Sequence, residues 1–279
     1  MKTEVNRKLR KIRHWQACFL ILSLLWLTSL SVFSQDDHFR TVENDVFQHG
    51  EELTYRVFYD SWLTHWITAG IGAMKIYEEP VSVRGRETFK IEVTGNSTGL
   101  FTLFYKVRDK FTSFVDKQAL VPLRFLRDTH EGKFKLKDEV DFDHKKLTAT
   151  SLKKTKEITP GVQDIVSAFY YVRTMDFDTA EAGDAYYLNF YLDDSVYRSK
   201  IIFMGRDWVK TSLGKFYCMG FKPKVAQGDL FKEPYPMMLW VTDDRNKIPI
   251  LAKSGVYIGS ITLELIEYKG LKYPLGSQF

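Results

Sequence analysis

Short segments rich in aromatic and β-branched residues follow one another along most of the chain, and this succession constrains the fold more than any other feature. The segments are separated by Gly, Asp, Asn and Pro, which favour turns. Within one segment, Phe89, Ile91 and Val93 alternate with polar residues. A period of two with one polar face is typical of antiparallel strands. The sequence therefore predicts an all-β, mainly antiparallel fold of about a dozen strands that form a strongly curved sheet or an open β-barrel.

One segment about midway along the chain breaks the β pattern. Its apolar residues recur at helical spacing between residues 160 and 174. Thr159 is a suitable N-cap, and Pro160 is favoured at the first helical position. We therefore expect one amphipathic helix over residues 160–174, packed against the sheet. Gly70 and Gly72, in an early strand segment, would permit sharp curvature of that sheet.

The N-terminus has the pattern of a secretory signal peptide. The first fourteen residues carry six basic residues and one acid, and residues 17–33 are apolar. The dense apolar part is short for a bilayer span of about 20 residues. Cleavage near Ser34 and Gln35 is therefore favoured over an uncleaved membrane anchor, which is the alternative. We expect an exported protein, periplasmic or extracellular.

Removal of the signal peptide would change both the extent of the folded domain and the net charge of the protein. It leaves a polar leader over residues 35–45 and a single β-rich domain over residues 46–279. The net charge of +5 belongs to the signal peptide, because 34 basic and 34 acidic residues remain beyond it. Balanced charge gives no electrostatic reason to expect nucleic acid or an anionic membrane surface as a partner. We expect no nucleic-acid partner and no transmembrane span after cleavage.

Cysteine and histidine usage argues against a disulfide, a metal site or a cofactor. Cys18 lies in the signal peptide, so Cys218 remains alone and cannot form an internal disulfide. Cys218 alternates with Phe216, which is typical of a small buried residue on a strand. The histidines beyond the signal peptide are scattered singly, without metal-ligand spacing. These histidines are His38, His49, His65, His130 and His144.

Four stretches together resemble a known group of exported bacterial proteins, the domain-of-unknown-function family DUF3108. They are residues 47–55 with the Ala69-Gly70 pair, residues 163–173, residues 214–218 and residues 239–250. This family has no established activity, so the resemblance implies no catalytic residues. In general style it is similar to envelope proteins whose curved antiparallel sheet and short helix shelter a hydrophobic ligand, such as the periplasmic lipoprotein carriers.

Arg173 falls within the apolar stripe of the expected helix, where a lone guanidinium group is costly unless a carboxylate meets it. Two interpretations are open. Near the helix end, Arg173 could reach solvent or cap helix carbonyls. Alternatively, it forms a buried ion pair between helix and sheet, and we expect Asp243 or Asp244 as its partner.

Asp164, Ser167 and Tyr171 form the polar stripe of the same helix. An aspartate beside a serine invites a hydrolase hypothesis. No Gly-x-Ser-x-Gly motif surrounds Ser167, and no histidine lies near it in sequence. We interpret this stripe as a solvated face or a docking surface and expect no catalytic residues.

Aromatic residues make up 15% of the chain. Most are expected in the core and in cross-strand pairs. Trp62 and Trp66 lie between two strand segments, where they could line the mouth of a pocket or contact a membrane or a partner. The candidate ligand-binding or partner-binding residues are Trp62, Trp66, Tyr55, Tyr59, Phe104 and Trp240.

These features favour a non-enzymatic envelope protein that binds a lipid or another hydrophobic or amphipathic ligand within the curved sheet. One alternative is a structural module that docks another envelope protein, and another is a hydrolytic enzyme. An apolar cavity of several hundred Å3 favours ligand binding, whereas a fully packed interior favours the structural module. Convergent titratable groups with perturbed pKa values favour the enzyme. The sequence leaves the ligand, the partner and the oligomeric state open.

Overall fold

A computed structural model describes residues 40–62, 66–224, 235–256 and 258–276. Within these residues, fifteen strands form one antiparallel sheet, accompanied by two helices. This confirms the all-β antiparallel prediction with more strands than the expected dozen. The predicted signal peptide and residues 35–39 lie outside the described residues.

The strands are β1 (Glu52–Asp60), β2 (Ile67–Ile76), β3 (Val81–Val83), β4 (Arg86–Ser97), β5 (Val107–Asp116), β6 (Pro122–Glu131), β7 (Phe134–Asp143), β8 (Thr148–Ser151), β9 (Thr155–Glu157), β10 (Ala185–Leu192), β11 (Ser195–Thr211), β12 (Gly214–Pro223), β13 (Met237–Thr242), β14 (Pro249–Gly255) and β15 (Ser260–Lys269), and the helices are α1 (Phe101–Phe104) and α2 (Ile165–Arg173).

The order of strands in the sheet follows the chain with one long-range join. It runs β10-β11-β12-β13-β14-β15-β1-β2-β4-β5-β6-β7-β8-β9, and β3 pairs with β4. The join is the pairing of β15 with β1, which places Ser260 opposite Asp60 and Lys269 opposite Glu52. Among the described strands, β9 and β10 have a partner on one side only, so the sheet is not closed by strand pairing.

Strands β6 and β7 nevertheless meet β10 and the turn after it through side chains. The rings of Phe142 on β7 and Tyr191 on β10 lie 5.6 Å apart in an edge-on arrangement. Beside them, Arg127 Nη1 lies 3.1 Å from Asp193 Oδ1. The backbone of Gln163, just before α2, donates to Asn189 O and accepts from Tyr191 N. This segment covers part of the free edge of β10, which protects it from pairing with another chain.

The leader residues that the structure describes are attached to the sheet. Val42 N donates to Gln118 O at 2.8 Å. Asp45 lies 2.6 Å from Arg245 Nη2, and the Arg40 guanidinium lies 4.6 Å from the centre of the Tyr171 ring. The packed part of the chain therefore includes residues 40–45.

The helix predicted over residues 160–174 begins at Ile165 instead, and Thr159 is not its N-cap. The Asp164 side chain caps the helix by accepting from Val166 N at 2.8 Å and Ser167 N at 2.7 Å. In return, Asp164 N donates to Ser167 Oγ at 2.8 Å, which completes a capping box. The helix begins late because Gln163 pairs with β10 and so is extended rather than helical.

Helix α2 lies against β4, β5 and β10. Its buried residues Val166 and Tyr170 join a core cluster with Phe47, Phe89 and Ile91. The rings of Tyr170 and Phe47 are 5.0 Å apart in an edge-on contact. One side of the helix is therefore fixed in the core beneath β4 and β5.

Close approach of the neighbouring backbone requires glycine at position 70. A Cβ atom at Gly70 would lie 2.5 Å from Asn96 O on β4. Next to it, the register between β1 and β2 shifts at Val57 and Phe58. A Cβ atom at Gly72 would lie at an ordinary 3.6 Å from Thr94 O. The tight constraint is therefore at Gly70.

The substitution Gly70→Ala should lower the free energy of unfolding by roughly 1–3 kcal/mol, because the new methyl group must push two strands apart. Gly95→Ala is the matched control, since a Cβ atom there has no heavy atom within 4 Å. Urea unfolding of both variants measures the difference. Equal stability of the two variants would contradict the steric argument.

Candidate functional site

Arg173, at the end of α2, forms a buried bidentate ion pair with Glu51. Arg173 Nη1 lies 2.6 Å from Glu51 Oε1, and Nη2 lies 2.8 Å from Oε2. Arg173 is 3% exposed and Glu51 is 0% exposed. Of the two interpretations of Arg173, the structure shows the buried ion pair. The expected partners, Asp243 and Asp244, are corrected to Glu51.

The surroundings of the pair satisfy the rest of the guanidinium group. Arg173 Nε and Nη2 donate to Asn246 O at 3.2 and 2.9 Å. The guanidinium also lies 5.1 Å from the centre of the Tyr170 ring and 5.6 Å from that of Phe47. Burial alone would lower the pKa of Arg173, but the Glu51 carboxylate raises it above its usual value. The Arg173 guanidinium therefore remains charged.

Asp243 and Asp244 are occupied elsewhere. Asp243 Oδ2 accepts from Arg206 Nε at 2.9 Å. Asp244 Oδ1 accepts from the Thr242 hydroxyl at 2.8 Å and from the backbone N–H groups of Asn246 and Lys247 at 3.0 Å. These contacts hold the turn between β13 and β14. The same turn places the carbonyl of Asn246 against Arg173.

The polar stripe of α2 is not a solvated face, which corrects the interpretation of Asp164 and Ser167. Both are buried, and their polar atoms form the helix cap. Asp164 Oδ2 also accepts from the Ser113 hydroxyl of β5 at 2.6 Å. Burial raises the pKa of Asp164 to about 6. Tyr171 is half-buried, and its ring lies beneath Arg40.

An apolar cavity of about 520 Å3 lies between the other side of α2 and the sheet. From the helix it is lined by Ile165, Ala168, Phe169 and Val172, all partly exposed. The sheet contributes residues of β1, β2, β4 and β10 to β15. Most of the sheet residues are aliphatic or aromatic, for example Val57, Val93, Leu188, Leu239, Leu251 and Leu263.

The cavity runs along the strands between two different ends. At one end its lining includes the paired Arg173, together with Lys247 and Pro249. At the other end it reaches Pro223, the last residue of β12, and Met237, the first residue of β13. The second end of the cavity therefore lies at the end of the strands where the β1–β2, β4–β5 and β12–β13 connections begin and finish.

The candidate binding residues are divided between three environments. Tyr55 lines the cavity, and its hydroxyl donates to Pro249 O at 3.0 Å. Trp240 packs against the core cluster that contains Cys218 and is not a lining residue. Trp62, Trp66 and Phe104 are exposed in connections at the second end of the cavity, and Tyr59 lies beside them at the end of β1.

The residues that flank the β1–β2 connection contact neighbouring elements. The Tyr59 hydroxyl donates to Ile258 O at 2.7 Å, and its ring lies 5.9 Å from that of Phe101 in α1. The rings of Phe58 and Trp66 are 5.1 Å apart. Leu103, beside the candidate residue Phe104, is also exposed. The sequence gives no signal for Leu103, because α1 is too short to show helical periodicity.

The possible metal ligands Cys218, His49 and His144 contact the protein itself. Cys218 is buried, and burial raises the pKa of its thiol to about 12, so it is a neutral thiol. His49 and His144 contact the carbonyls of Tyr77 and Pro122 at 2.9 and 2.8 Å. His38 and His65 lie outside the described residues. In the part of the chain that the structure describes, no three His, Cys, Asp or Glu side chains are grouped for a metal ion.

None of the described helices is long and apolar enough to cross a membrane. An antiparallel sheet whose two ends of the strand order are in side-chain contact, a helix packed against it and an apolar cavity beside that helix define a β-barrel-like protein. The family model for proteins of unknown function, DUF3108, matches residues 54–266. The chain therefore belongs to the DUF3108 family, as its sequence resemblance indicated. No curated protein matches the sequence.

Solved structures share this fold at low sequence identity. A β-barrel-like protein of the DUF1849 family from Brucella abortus matches with a TM-score of 0.53 and 11% identity, over 81% of this chain and 99% of its own. A candidate lipoprotein from Parabacteroides distasonis matches with a TM-score of 0.37 and 10% identity, over 82% and 99%. A candidate exported protein with a YmcC-like fold from Bacteroides fragilis has a TM-score of 0.31 and 11% identity, over 82% and 99%. The first of these supports the fold alone.

The substitution Arg173→Met should lower the free energy of unfolding by roughly 3–5 kcal/mol, because Glu51 would be left buried and unpaired. Lys117→Met is the matched control, since its partner Glu87 is about half exposed and the 2.6 Å pair is in contact with solvent. That control should cost less than about 1 kcal/mol. Denaturant unfolding measures both. A loss below about 0.5 kcal/mol for Arg173→Met would mean that the pair does not hold the helix.

The buried Asp164 carboxyl should make stability depend on pH. Its folded pKa is about 6 against an ordinary 3.8, so the folded protein holds more protons on this group between these pH values. The contribution of Asp164 to the free energy of unfolding should therefore fall as the pH rises from 4 to 6, by up to about 3 kcal/mol. Asp164→Asn keeps an oxygen for the cap and removes this dependence.

Urea unfolding of wild type and Asp164→Asn at several pH values isolates the effect. The stability of the variant relative to wild type should rise across that window. Asp178→Asn, at an exposed aspartate, is the matched control and should show little change. A pH-independent difference between Asp164→Asn and wild type would show that the carboxyl has an ordinary pKa.

Proposed function

We propose that this protein is exported and binds a hydrophobic or amphipathic ligand, such as a lipid acyl chain, in the cavity beside α2. The observation that carries the proposal is the 520 Å3 apolar cavity. Ligand pockets in proteins commonly measure about 300–1,000 Å3 and are lined mainly by apolar side chains. A cavity was the feature expected to favour ligand binding over a fully packed structural module.

The lining explains how such a ligand would be held. Ile165, Phe169 and Val172 are only partly covered by protein, and a bound acyl chain would bury their remaining surface. Such burial contributes about 25 cal/mol per Å2 of apolar surface. The Tyr55 hydroxyl is already bonded to Pro249 O. Recognition would therefore depend on shape and apolar contact, with few directed polar bonds.

Both charged residues of the cavity lining are cationic. The charge of Arg173 is balanced by Glu51, whereas Lys247 Nζ donates to the carbonyl of Met175 at 2.9 Å. The lining residues include no aspartate or glutamate. This arrangement favours a neutral or anionic amphiphile over a cationic one, because an ammonium group would meet the charge of Lys247 and no carboxylate in the lining.

The location rests on the N-terminal sequence. Residues 1–34 have the charge and apolar pattern of a signal peptide, and the proposed site of action is the cell envelope, in the periplasm or outside it. A lipid-binding role fits that location because the envelope supplies acyl chains. Export and cleavage near Ser34 are part of this proposal.

The two alternative functions have different support. A hydrolase hypothesis began from Asp164 and Ser167, whose polar atoms are committed to the helix cap. A docking role for the protein has independent support in the exposed apolar connections at the second end of the cavity. Ligand binding does not exclude docking, because the two use different surfaces.

Protein purified from its native envelope should carry co-purifying lipid that native mass spectrometry detects. Ala252→Trp places a large side chain in the cavity lining and should lower the bound lipid by about tenfold or more, a loss of about 1.4 kcal/mol in binding. Ala182→Trp, at an exposed position, is the matched control and should retain the lipid.

Thermal unfolding followed by circular dichroism establishes that the variants remain folded. Absence of lipid from the wild-type protein, or equal lipid content in wild type and folded Ala252→Trp, would refute binding in this cavity.

A further inference from the structure

A group of large apolar side chains is exposed at one end of the sheet, where the connections β1–β2, β4–β5 and β14–β15 lie. We call this group the apolar tip. Trp62 is 83% exposed, Leu103 is 80% exposed and Phe104 is 85% exposed. The residues of the apolar tip are Trp62, Trp66, Leu100, Leu103, Phe104, Tyr105 and Ile258.

The strand register brings these connections together. Asp60, at the end of β1, is opposite Ser260, at the start of β15. Gly70 on β2 is opposite Ser97, the last residue of β4. The Tyr59 hydroxyl joins the first connection to the third through Ile258 O. The apolar tip is therefore one surface rather than a set of unrelated exposed residues.

Folding of this protein does not explain the apolar tip. Helix α1 carries two of its most exposed side chains, Leu103 and Phe104, and buries none of its own residues. Polar residues at these positions would form the same short turn without exposing apolar surface. Contiguous exposed apolar groups on a soluble domain mark an interaction surface.

Basic side chains lie beside the apolar tip. They are Lys106 and Arg108 at the start of β5, and Lys133 and Lys135 around the β6–β7 turn, and all four are exposed. The two turns are joined by the bond from Gly132 N to Lys106 O at 2.8 Å. Within the described residues, none of these four cations belongs to an ion pair.

Two acidic residues lie on the same two strands, Asp109 next to Arg108 on β5 and Glu131 at the end of β6. Asp109 Oδ1 accepts from His130 N at 3.0 Å. Glu131 is half-buried, and burial together with Asp109 raises its pKa. The start of β5 and the β6–β7 turn therefore carry four cations against these two carboxylates, although the chain beyond residue 34 is balanced overall.

We propose that the apolar tip docks on the surface of a phospholipid bilayer that contains anionic lipid. Tryptophan, phenylalanine and leucine side chains enter the boundary between headgroups and acyl chains, where aromatic rings are favoured. Lys106, Arg108 and Lys133 contact the anionic headgroups, and each such cation contributes about a fivefold gain in binding. A bilayer fits better than a protein groove because the side chains project from separate connections beside a basic border.

The apolar tip and the second end of the cavity lie at the same end of the strands. The cavity lining reaches Val57 near the end of β1 and Gly95 near the end of β4, the two strands whose connections carry Trp62 and Phe104. Docking would therefore bring the cavity close to the acyl chains of the bilayer. Exchange of lipid with the bilayer rests on the proposed function, whereas docking itself does not.

Co-sedimentation with vesicles tests the proposal on the protein purified from the envelope. Wild type should bind vesicles of phosphatidylcholine with phosphatidylglycerol more tightly than vesicles of phosphatidylcholine alone. Trp62→Ser/Phe104→Ser should lower binding to both by about tenfold or more, because two apolar anchors are lost. Lys106→Gln/Lys133→Gln should lower binding only to the anionic vesicles, by roughly fivefold per lysine.

The matched control is Trp208→Ser/Tyr217→Ser. These two residues are also exposed aromatics, but they lie on β11 and β12 near the opposite end of the sheet, with ring centres 5.4 Å apart. The control should bind vesicles as wild type does. A second readout is tryptophan emission, which should shift to shorter wavelength on docking, since Trp62 and Trp66 are two of the four tryptophans beyond residue 34.

The outcomes separate docking from lipid binding. Ala252→Trp should still bind vesicles, and Trp62→Ser/Phe104→Ser should still carry co-purified lipid. Failure of wild type to bind anionic vesicles, or equal binding by wild type and Trp62→Ser/Phe104→Ser, would overturn membrane docking. Loss of a specific envelope protein from the tip variant, without vesicle binding by wild type, would also overturn it and identify a protein partner.

Discussion

The Arg173–Glu51 ion pair is the interaction on which the placement of α2 depends. It joins the end of the helix to the residue just before β1, and through Asn246 O to the turn between β13 and β14. Apolar contacts are not directional, so an apolar helix beside a cavity would gain by sliding into it and burying Phe169. The bidentate pair at one end and the Asp164 cap, bonded to Ser113 of β5, at the other oppose that movement. The cavity therefore persists because both ends of α2 are held by directed polar bonds.

The sequence predicted the fold class and one half of this pair, for physical reasons. Strand alternation depends on local burial, so it is visible in segments such as residues 89–93. The position of Arg173 in an apolar stripe indicated a buried partner. Its identity depends on strand register, which brings together residues separated by 122 positions, and no local pattern contains that information. Asp164 and Ser167 were misinterpreted because a polar stripe and a capping box have the same three-residue spacing. Only the pairing of Gln163 with β10 distinguishes them.

The candidate binding residues show a second limit of sequence patterns. Tyr55 and Trp240 are both aromatic residues on strands, yet only Tyr55 lines the cavity. Alternation assigns a side chain to a face of the sheet but does not indicate whether another element covers that face. Trp62 and Trp66 could be singled out because they lie between strands, where no sheet packing accounts for them. The total charge has the same limit, because a balanced sum does not show that Lys106, Arg108 and Lys133 lie together beside the apolar tip.

Two features of this protein oppose stability, namely the unfilled cavity and the exposed apolar tip. A cavity forgoes the packing contacts of its lining, and exposed apolar side chains favour aggregation. Helix α2 could fill more of the cavity with larger residues than Ala168, and α1 could carry polar residues in place of Leu103 and Phe104. Membership of the DUF3108 family accounts for neither feature, because the family description states no function. Both features nevertheless lie along the same strands, β1 and β4, which run from the cavity to the apolar tip. The proposed ligand binding and the proposed membrane docking would use these two apolar surfaces together, because both lie in line along the same strands.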